Sequence, residues 1–292
     1  MSISVYRGDI SLPTELSNEI MQKTQEQSAV MQLARQIALP GRGLTIPVIA
    51  GDPTAAWVDE TDAKPVSTPT LSQKVMSAYK LAVIVPFSME FRRDAAALYD
   101  ALVQRLPGAL AAKFDNTVFF GSAPGSNFDT FSACTAQNIG STNTYAGLVA
   151  ADGDIAVHGG IMNGIVLSPA GKSTLLGALD GDSRPLFINS VAEGAVPMVL
   201  GARAVLCKAA YKAGASGSPS TPNKVGVAGD WTQAVYGTVE GVRITYSEDA
   251  ALTINSTLTS LFEHNMFAVR AEIEVGFRAD TSCFNLLTTP YA

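Results

Sequence analysis

Apolar side chains alternate with charged or small ones over twelve residues near the C-terminus, in FAVRAEIEVGFR (267–278). A period of two is typical of a β-strand that buries one face in a hydrophobic core. The odd-numbered positions therefore predict a core face. The opposite face carries four charged residues: Arg270, Glu272, Glu274 and Arg278. We expect these four side chains to face solvent or another molecule.

A second pattern, over residues 44–86, predicts a long β-hairpin. LTIPVIAG at its start and VMSAYKLAVIVPF at its end are rich in strand formers, and the segment between them contains three prolines and many turn formers. Two strands of about 15 residues would reach on the order of 50 Å. A ribbon of that length has no core of its own and is marginal in water. We therefore expect it to lie on another molecule, and a second copy of the chain is the natural candidate.

Residues 12–39 predict one or two helices with a narrow apolar stripe and a polar surface. Ser28 is suited to cap the second of these helices, and Pro40 with Gly41 is suited to stop it. The segment therefore resembles an arm that leans on another part of the molecule or on a neighbour.

Residues 88–120 predict a long helix, because leucines recur there at a spacing of four residues. We expect Ser88 to cap the helix and Gly121 to end it. Pro107, followed by a glycine, should kink or break the helix near its middle.

Residues 136–240 alternate short strands and helices, which predicts a mixed α/β region. A strand at 164–167 precedes a helix over 169–179, and residues 196–207 form either a strand pair or one bent strand. The stretch 213–223 is rich in Gly, Ser and Pro, which predicts an exposed loop.

Composition adds a further constraint, because charged residues make up only 16% of the 292 residues and hydrophobic ones 47%. An average soluble domain has about 25% charged residues. This balance indicates a folded chain whose surface is partly covered, most simply by self-association. A net charge of −6 without a basic stripe argues against a sequence-specific reader of nucleic acid.

Membrane and disulfide classes are also excluded by the sequence. No apolar run approaches the ~20 residues of a membrane span, and the N-terminus lacks the basic and apolar regions of a signal peptide. Three widely spaced cysteines, an odd number, indicate reduced thiols of a protein made in a cytoplasm.

The tetrapeptide Gly-Lys-Ser-Thr at 171–174 resembles the end of a nucleotide-binding P-loop. A P-loop needs a glycine five positions earlier so that backbone N–H groups can surround the phosphates. Val166 occupies that position. Ser168 followed by Pro169 is instead typical of an ordinary helix start, so we interpret the motif as structural.

Other candidate chemistry is equally incomplete. Gly181-Asp182-Ser183 resembles a serine-esterase motif, but Pro185 occupies the last glycine position of a nucleophile elbow, so a turn is the better interpretation. Asp152, Asp154 and His158 are close in sequence, yet their spacing matches neither a calcium loop nor a zinc site, and Asp-Gly-Asp is typical of a turn. We predict no catalytic residue, metal or cofactor.

Several polar and aromatic residues are better candidates for contacts between molecules. Trp57 precedes Asp59 and Glu60 in a segment too polar to be core, which is typical of a contact point, although the tryptophan could fold back on its own hairpin. Arg92 and Arg93 could pair with acids of a neighbour or lie on a solvated helix face.

The order of these segments resembles that of the major capsid proteins of tailed bacteriophages, which have the Hong Kong-97-type shell fold. The resemblance covers nearly the whole chain and depends on these segments, taken in order: LPGRGLTIPVI leading into AAWVDE, KLAVIVPFSMEFRRD, the helix closing at VFFG, IVLSPAGKSTLLGALDGDSRPLF, VAGDWTQAVYGTVEGVRITYS and NMFAVRAEIEVGFR.

The resemblance implies an α+β fold with four parts. Residues 1–43 would form an N-terminal arm, and 44–86 an extended loop lying across an adjacent subunit. Residues 87–135 and 241–292 would form a peripheral domain with a long spine helix and a β-sheet. Residues 136–240 would form a mixed α/β axial domain.

The implied function is a major capsid protein that assembles into pentamers and hexamers around phage double-stranded DNA. The arm begins almost at Met1, which implies either a separate scaffolding protein or none. The other implied partners are a portal and a decoration protein, with DNA held without sequence-specific reading and no membrane. Assembly would take place in the host cytoplasm. Lys64 and Lys74 in the extended loop are candidates for a cross-link, although no matching Asn or Glu can be assigned. Alternatives are a nanocompartment shell of the encapsulin type, a tail or decoration protein and, from another class, a P-loop-like or Gly-Asp-Ser hydrolase.

Overall fold

The computed structural model of the chain describes residues 24, 27–41, 44–51, 57–58, 64, 66, 70–88, 95–140, 144–180, 182, 184–186, 198–254 and 257–291. Its helices are α1 (Ala29–Leu33), α2 (Ala95–Phe120), α3 (Thr144–Val157) and α4 (Pro169–Leu176). Its strands are β1 (Arg35–Ala38), β2 (Leu44–Gly51), β3 (Thr70–Met76), β4 (Tyr79–Ser88), β5 (Thr135–Asn138), β6 (Gly164–Leu167), β7 (Met198–Val199), β8 (Ala202–Leu206), β9 (Asn223–Gly229), β10 (Ala234–Thr238), β11 (Arg243–Ser247), β12 (Ala251–Ile254), β13 (Thr257–Ser260), β14 (Met266–Ala279) and β15 (Phe284–Thr289).

β14 is the central strand of a five-stranded sheet, and its odd-numbered side chains from Phe267 to Phe277 are all buried. The predicted alternation is confirmed. Val275 pairs with Thr238 of β10 and also with Tyr79 of β4. β10 and β4 therefore flank β14 on opposite edges. β11 lies on the same edge of β14 as β10, because Val269 of β14 pairs with Tyr246 of β11 on one edge and with Val85 of β4 on the other. β1 pairs in parallel with β10.

Helix α2 covers one face of this sheet, where Leu106 and Leu110 pack with the odd-numbered side chains of β14. The helix runs without interruption through Pro107, so the predicted break there is wrong. Ser88 is the last residue of β4, and residues 89–94, between it and the start of α2 at Ala95, lie outside the described residues, so its predicted role as a cap stays a prediction. The predicted end is confirmed, because the last helical residue is Phe120, next to Gly121.

A second sheet has the strand order β5-β15-β9-β6-β8-β7 and mixes parallel and antiparallel pairs. Helices α3 and α4 bury Leu148, Ile155 and Leu175 against one of its faces. The predicted strand at 164–167 and the strand pair within 196–207 are confirmed, whereas the helix after Pro169 ends at Leu176 rather than at 179.

The arm is partly helical and partly extended. Ser28 caps α1 as predicted, because its side chain accepts a hydrogen bond from the Met31 N–H. The helix prediction is wrong at 35–38, which form β1, since pairing with β10 overrides the helical period. Of the helix predicted ahead of Ser28, only Thr24 and Gln27 are described, and both are helical; its other residues lie outside the described ones.

The predicted hairpin is real but shorter than expected. β2 pairs with β3 from Leu44↔Met76 to Gly51↔Thr70. The last stretch, 79–88, pairs with β14 instead of with the hairpin. The prediction that 75–87 form one hairpin strand is therefore wrong.

Two short crossovers join the two sheets at neighbouring points, in addition to the longer path from β4 through α2 to β5. β9 leads into β10 through the 3₁₀ turn Trp231–Gln233, and β14 leads into β15 through Thr281–Cys283. The Asp230 N–H donates to the Cys283 carbonyl at 3.1 Å, and the Asp280 N–H donates to the Gln233 carbonyl at 3.2 Å. Each sheet therefore holds residues from both sides of the predicted boundary at 241.

An aromatic cluster fills the space where the sheets meet. The centroid of the Phe131 ring lies 4.4 Å from that of Phe284, 5.6 Å from that of Phe277 and 5.7 Å from that of Trp231. These rings come from strands and turns of both sheets, so the two sheets share one core.

Among the described residues, no helix is long and apolar enough to cross a membrane.

Candidate assembly surfaces

The end of the β2–β3 hairpin presents apolar side chains with no cover from their own subunit. Trp57 is 105% exposed and Val66 is 91% exposed. The alternative in which Trp57 folds back on its own hairpin is therefore wrong. Lys64 is also exposed, whereas Asp59 and Glu60 lie outside the described residues.

The base of the hairpin is fixed to the end of β14. The Lys74 ammonium donates to the Ala279 carbonyl at 3.0 Å, and the Arg278 Nε donates to the Val75 carbonyl at 2.8 Å. Of the two lysines considered for a cross-link, Lys74 is therefore already engaged within its own subunit.

Arg278 is a structural residue of the subunit. Its guanidinium donates to the Asp129 carboxylate at 2.7 Å and to the Asn127 side-chain oxygen at 3.1 Å, in addition to the Val75 carbonyl. Only 13% of its side chain is exposed. Because these contacts engage all three of its nitrogens within the subunit, we do not propose the intersubunit contact that its position in the sequence predicts.

The solvent face of the five-stranded sheet carries the other predicted charges of β14. Arg270 lies 3.5 Å from Glu272, and Glu274 lies 3.2 Å from Lys80 of β4. These pairs are within one subunit but reach the surface, so an additional contact with a neighbour remains a prediction. Arg92 and Arg93 lie outside the described residues.

A second hairpin, β12–β13, was missed by the sequence reasoning. Among the described residues its two strands pair only with each other, and Leu258 and Phe262 are about three-quarters exposed, at 73% and 75%. Asn255-Ser256 between two Thr-containing segments is a turn signal that could have predicted it.

Helix α3 presents an apolar stripe away from its sheet. Tyr145, Val149 and Val157 recur at helical spacing and are exposed, while Leu148 and Ile155 are buried. Single exposed apolar residues are normal, but a stripe at helical spacing indicates a contact surface.

A buried carboxylate anchors the arm to α2. Asp115 accepts hydrogen bonds from Ser28 Oγ at 2.5 Å, from the Ala29 N–H at 2.8 Å and from Cys207 Sγ at 3.3 Å, with a longer one from the Val30 N–H. Burial raises the pKa of Asp115 above its ordinary value, and these hydrogen bonds oppose the rise. No local sequence pattern could have predicted this site, because its partners are far away in the chain.

The thiol beside this carboxylate stays protonated. Burial raises the pKa of Cys207 to about 12, and the neighbouring Asp115 charge adds to the rise. Cys134 is similar, with burial raising its pKa to about 12. The three cysteines are free thiols, as the sequence predicts.

The P-loop-like segment is an ordinary helix start, as interpreted from the sequence. Ser168 Oγ accepts a hydrogen bond from the Gly171 N–H at 3.0 Å and donates to the Val225 carbonyl at 2.8 Å. Pro169 is the first residue of α4. The serine therefore joins the helix start to β9.

The other polar motifs also form local structure. Asp180 Oδ1 accepts from the Asp182 and Arg184 N–H groups, which makes the predicted turn. Asp152 and Asp154 lie within α3, so the turn interpretation of Asp-Gly-Asp is wrong. Within the described part of the chain, no group of three or more His, Cys, Asp or Glu residues is placed to hold a metal ion.

Comparison with known sequences gives a match over most of the chain. The phage capsid family matches residues 8–281. The probable major capsid protein gp17 of Mycobacterium phage L5 is 30% identical, over 98% of this chain and 90% of the relative. The major capsid protein of Staphylococcus phage 80alpha is 25% identical, over 95% of this chain and 85% of the relative.

Solved structures share the fold at lower identity. A structure from Microbacterium phage Oxtober96 has a TM-score of 0.73 and 20% identity, covering 90% of this chain and 91% of that one. The capsid of a native GTA particle computed with C5 symmetry has a TM-score of 0.67 and 14% identity, covering 99% of this chain and 95% of that one.

Proposed function

The chain belongs to the phage capsid family and is a major capsid shell protein, and we propose that its copies assemble as hexamers and pentamers into an icosahedral head around double-stranded DNA. The predicted α+β capsid fold is confirmed by solved structures of the same shape. In this proposal the five-stranded sheet with α2 is the peripheral part of the subunit. The six-stranded sheet is the axial part, around which heterologous contacts close into rings.

The observation that carries the proposal is the uncovered hairpin end. Trp57 and Val66 expose large apolar surfaces that nothing in their own subunit covers. A two-stranded ribbon of this kind needs support from another surface. A neighbouring subunit in a shell would supply that surface, and each subunit would both give and receive a hairpin.

The finer points of the function belong to the same proposal. We infer assembly in the host cytoplasm, with a separate scaffolding protein, a portal and a decoration protein as partners. Packaged DNA would be held without base recognition, because the chain has a net charge of −6 and no basic stripe.

Electron microscopy of the purified full-length protein tests the proposal. We expect closed shells with sixfold and fivefold rings. Enzyme cargo inside native particles would favour the encapsulin alternative, and tubes or isolated trimers would favour a tail or decoration protein. A protein that stays monomeric at high concentration would contradict the proposal. The related sequences are shell proteins, and neither they nor the structure favour the hydrolase alternative.

A further inference from the structure

Four lysines that are far apart in the sequence come together beside the C-terminal half of α2. Lys113 lies on the exposed side of the helix. The exposed Lys208 opens the 3₁₀ turn Lys208–Ala210, which packs against α2. Lys212 follows this turn, and its backbone exchanges two hydrogen bonds of 2.9 Å with that of Lys224. We call the surface formed by these four residues the lysine face.

Two of the lysines converge on the end of α2. Lys212 Nζ donates to the Phe120 carbonyl at 3.4 Å, and Lys224 Nζ lies 5.4 Å from the centroid of the Phe120 ring. Lys224 also donates to the Ser132 carbonyl at 3.0 Å. Lys113 precedes Phe120 by two helical turns, which places it on the same side of α2 and about 10 Å away along the axis. An ammonium group has three donors, so both bonded lysines keep donors for a further acceptor.

The lysine face carries positive charge that its own subunit does not balance. The segments that form it, 105–128 and 205–229, contain five basic residues and a single acid, the buried Asp115. No described carboxylate forms an ion pair with any of the four lysines, whereas Lys80 and Arg270 of the five-stranded sheet are paired with acids. Burial lowers the pKa of Lys224, and the nearby Lys212 charge lowers it further. A local excess of positive charge therefore remains, although the net charge of the chain is −6.

Helix α2 places this excess charge on one face of each sheet. Leu106 packs against the five-stranded sheet, on the face away from the exposed Lys80. Further along the helix, Phe119 joins the core cluster that includes Val166 of the six-stranded sheet. The neighbours of Val166 on β6 point instead toward α3 and α4, so Lys172 of α4 lies on the far face of that sheet. Lys80 and Lys172 are thus lysines of the same chain that lie away from the lysine face.

The chemistry of the lysine face favours a polyanion over a protein partner. Lysine is depleted in protein–protein interfaces, but it is common in sequence-independent contacts with phosphate groups. The exposed α2 side chains near Lys113 are Ala109, Ala112 and Asn116, which offer no large apolar anchor to a protein. Tyr211, between two of the lysines, is 44% exposed and has a hydroxyl that can donate to a phosphate.

We propose that the lysine face lies on the inner wall of the shell and holds the sugar–phosphate backbone of packaged double-stranded DNA. This inference rests on the proposed function and names the surface that contacts the DNA. A duplex carries one negative charge per about 1.7 Å of its axis, so the ammonium groups can reach phosphates in any register. A lysine binds phosphate as a point charge, so the contact needs no particular base sequence.

Electron cryomicroscopy of DNA-filled heads of the wild-type protein locates the lysine face. We expect it on the inner wall, next to the outermost layer of DNA. A lysine face on the outer wall, or buried between subunits, would overturn the inference and leave the proposed shell function intact. Absence of shells would overturn the proposed function itself.

Acetylation of amines measures the contact in assembled particles. DNA-filled heads and DNA-free shells of the same protein are treated with sulfo-N-hydroxysuccinimide acetate, and each lysine is quantified by mass spectrometry. We expect Lys113 and Lys208 to react at least about fivefold more slowly in filled heads, because phosphates engage their amines. Lys80 and Lys172 serve as internal controls and should react equally in both. Equal rates for Lys113 and Lys208 in the two kinds of particle would overturn the inference.

A matched pair of variants tests the lysine face on unassembled subunits. Lys113→Gln/Lys208→Gln removes two charges from the lysine face, and Lys80→Gln/Lys172→Gln removes two charges elsewhere. Fluorescence anisotropy with a labelled duplex of about 20 base pairs gives the dependence of the binding constant on salt. We expect the slope of log K against log salt concentration to become shallower by about 1 to 2 in the first variant and to keep its wild-type value in the control. Equal slopes in the two variants, or no binding by the wild-type protein at low ionic strength, would overturn the inference.

Labelled polyglutamate is the probe for an acidic protein partner. We expect wild-type subunits to bind the duplex in preference to polyglutamate that carries the same number of charges. The opposite preference would identify an acidic protein segment as the occupant and overturn the inference.

Discussion

At the residue scale, single buried polar groups connect distant parts of the chain. Asp115 on α2 holds the start of α1, and Asp230 accepts hydrogen bonds from Asn163 Nδ2 and from the Ile161 N–H, which joins the first crossover to the loop before β6. Hydrogen bonding lowers the pKa of Asp230 although burial opposes the effect. Each carboxylate satisfies several donors that would otherwise be buried without partners.

We predict that the stability advantage of wild-type protein over Asp115→Asn depends on pH. The pKa of Asp115 is raised in the folded state, so folding favours its protonated form. The contribution of this proton to stability is complete below the ordinary aspartate pKa of 3.8 and is lost as the pH rises through the folded-state pKa. Urea unfolding of unassembled subunits at a series of pH values from 3.8 to neutral should therefore show the wild-type advantage shrinking as the pH rises.

The exposed Asp152 on α3 supplies the matched control for this experiment. Asp152→Asn should change the free energy of unfolding by less than about 0.5 kcal/mol. A difference between wild type and Asp115→Asn that stays constant over the whole pH range would contradict the prediction.

At the element scale, periodic patterns predicted strands and helices well but could not predict where one strand passes from one partner to another. β3 and β4 lie in line, so the alternation over 75–87 continues across the link at Ser77 and Ala78 and hides the boundary. The helix through Pro107 was mispredicted because packing against the sheet overrides a local signal for a break. Burial of Leu106 and Leu110 on either side of the proline, against the sheet, outweighs the local preference for a break.

The hairpin end is predicted to serve assembly and not the fold of the subunit. Replacement of residues 52–69 by Asn-Gly would join Gly51 to Thr70, which already pair, through a favourable two-residue turn. We expect the free energy of unfolding of the unassembled subunit to change by less than about 1 kcal/mol, because the described side chains of this end are exposed. The yield of shells in electron micrographs should fall at least about tenfold.

A second variant separates the length of the hairpin from its chemistry. It keeps residues 52–69 at the same length but replaces them with a Gly/Ser sequence, and it should also fail to form stable shells if apolar and acidic contacts are needed. Normal particles from the Asn-Gly variant would argue against a role for the hairpin end in assembly.

At the scale of the whole molecule, two sheets are built as one cooperative unit. Phe131, Trp231, Phe277 and Phe284 share a core that belongs to both sheets, and the paired crossovers connect them. The sequence predicted elements of both sheets, such as β14 and β6. It could not predict that β10, which precedes residue 241, joins the five-stranded sheet, or that β15, which follows residue 241, joins the six-stranded sheet. Pairing between distant strands leaves no local pattern.

We therefore predict that the unassembled subunit unfolds in a single transition. The chain has two tryptophans, so the substitution Trp57→Phe leaves Trp231 as the only one. Trp231 is buried where the sheets meet, and its ring centroid lies 5.3 Å from that of Phe284. Its fluorescence and the far-ultraviolet circular dichroism, which follows both sheets, should give the same urea midpoint. Two separate circular dichroism transitions, with fluorescence following only one, would show that the sheets unfold independently.

The doubled crossover also determines how a subunit responds to tension. Two antiparallel segments span the boundary side by side, bonded to each other at Asp230 and Asp280. A pull that separates the halves acts along peptide bonds and shears the flanking ladders lengthwise, so many hydrogen bonds must break together instead of one after another.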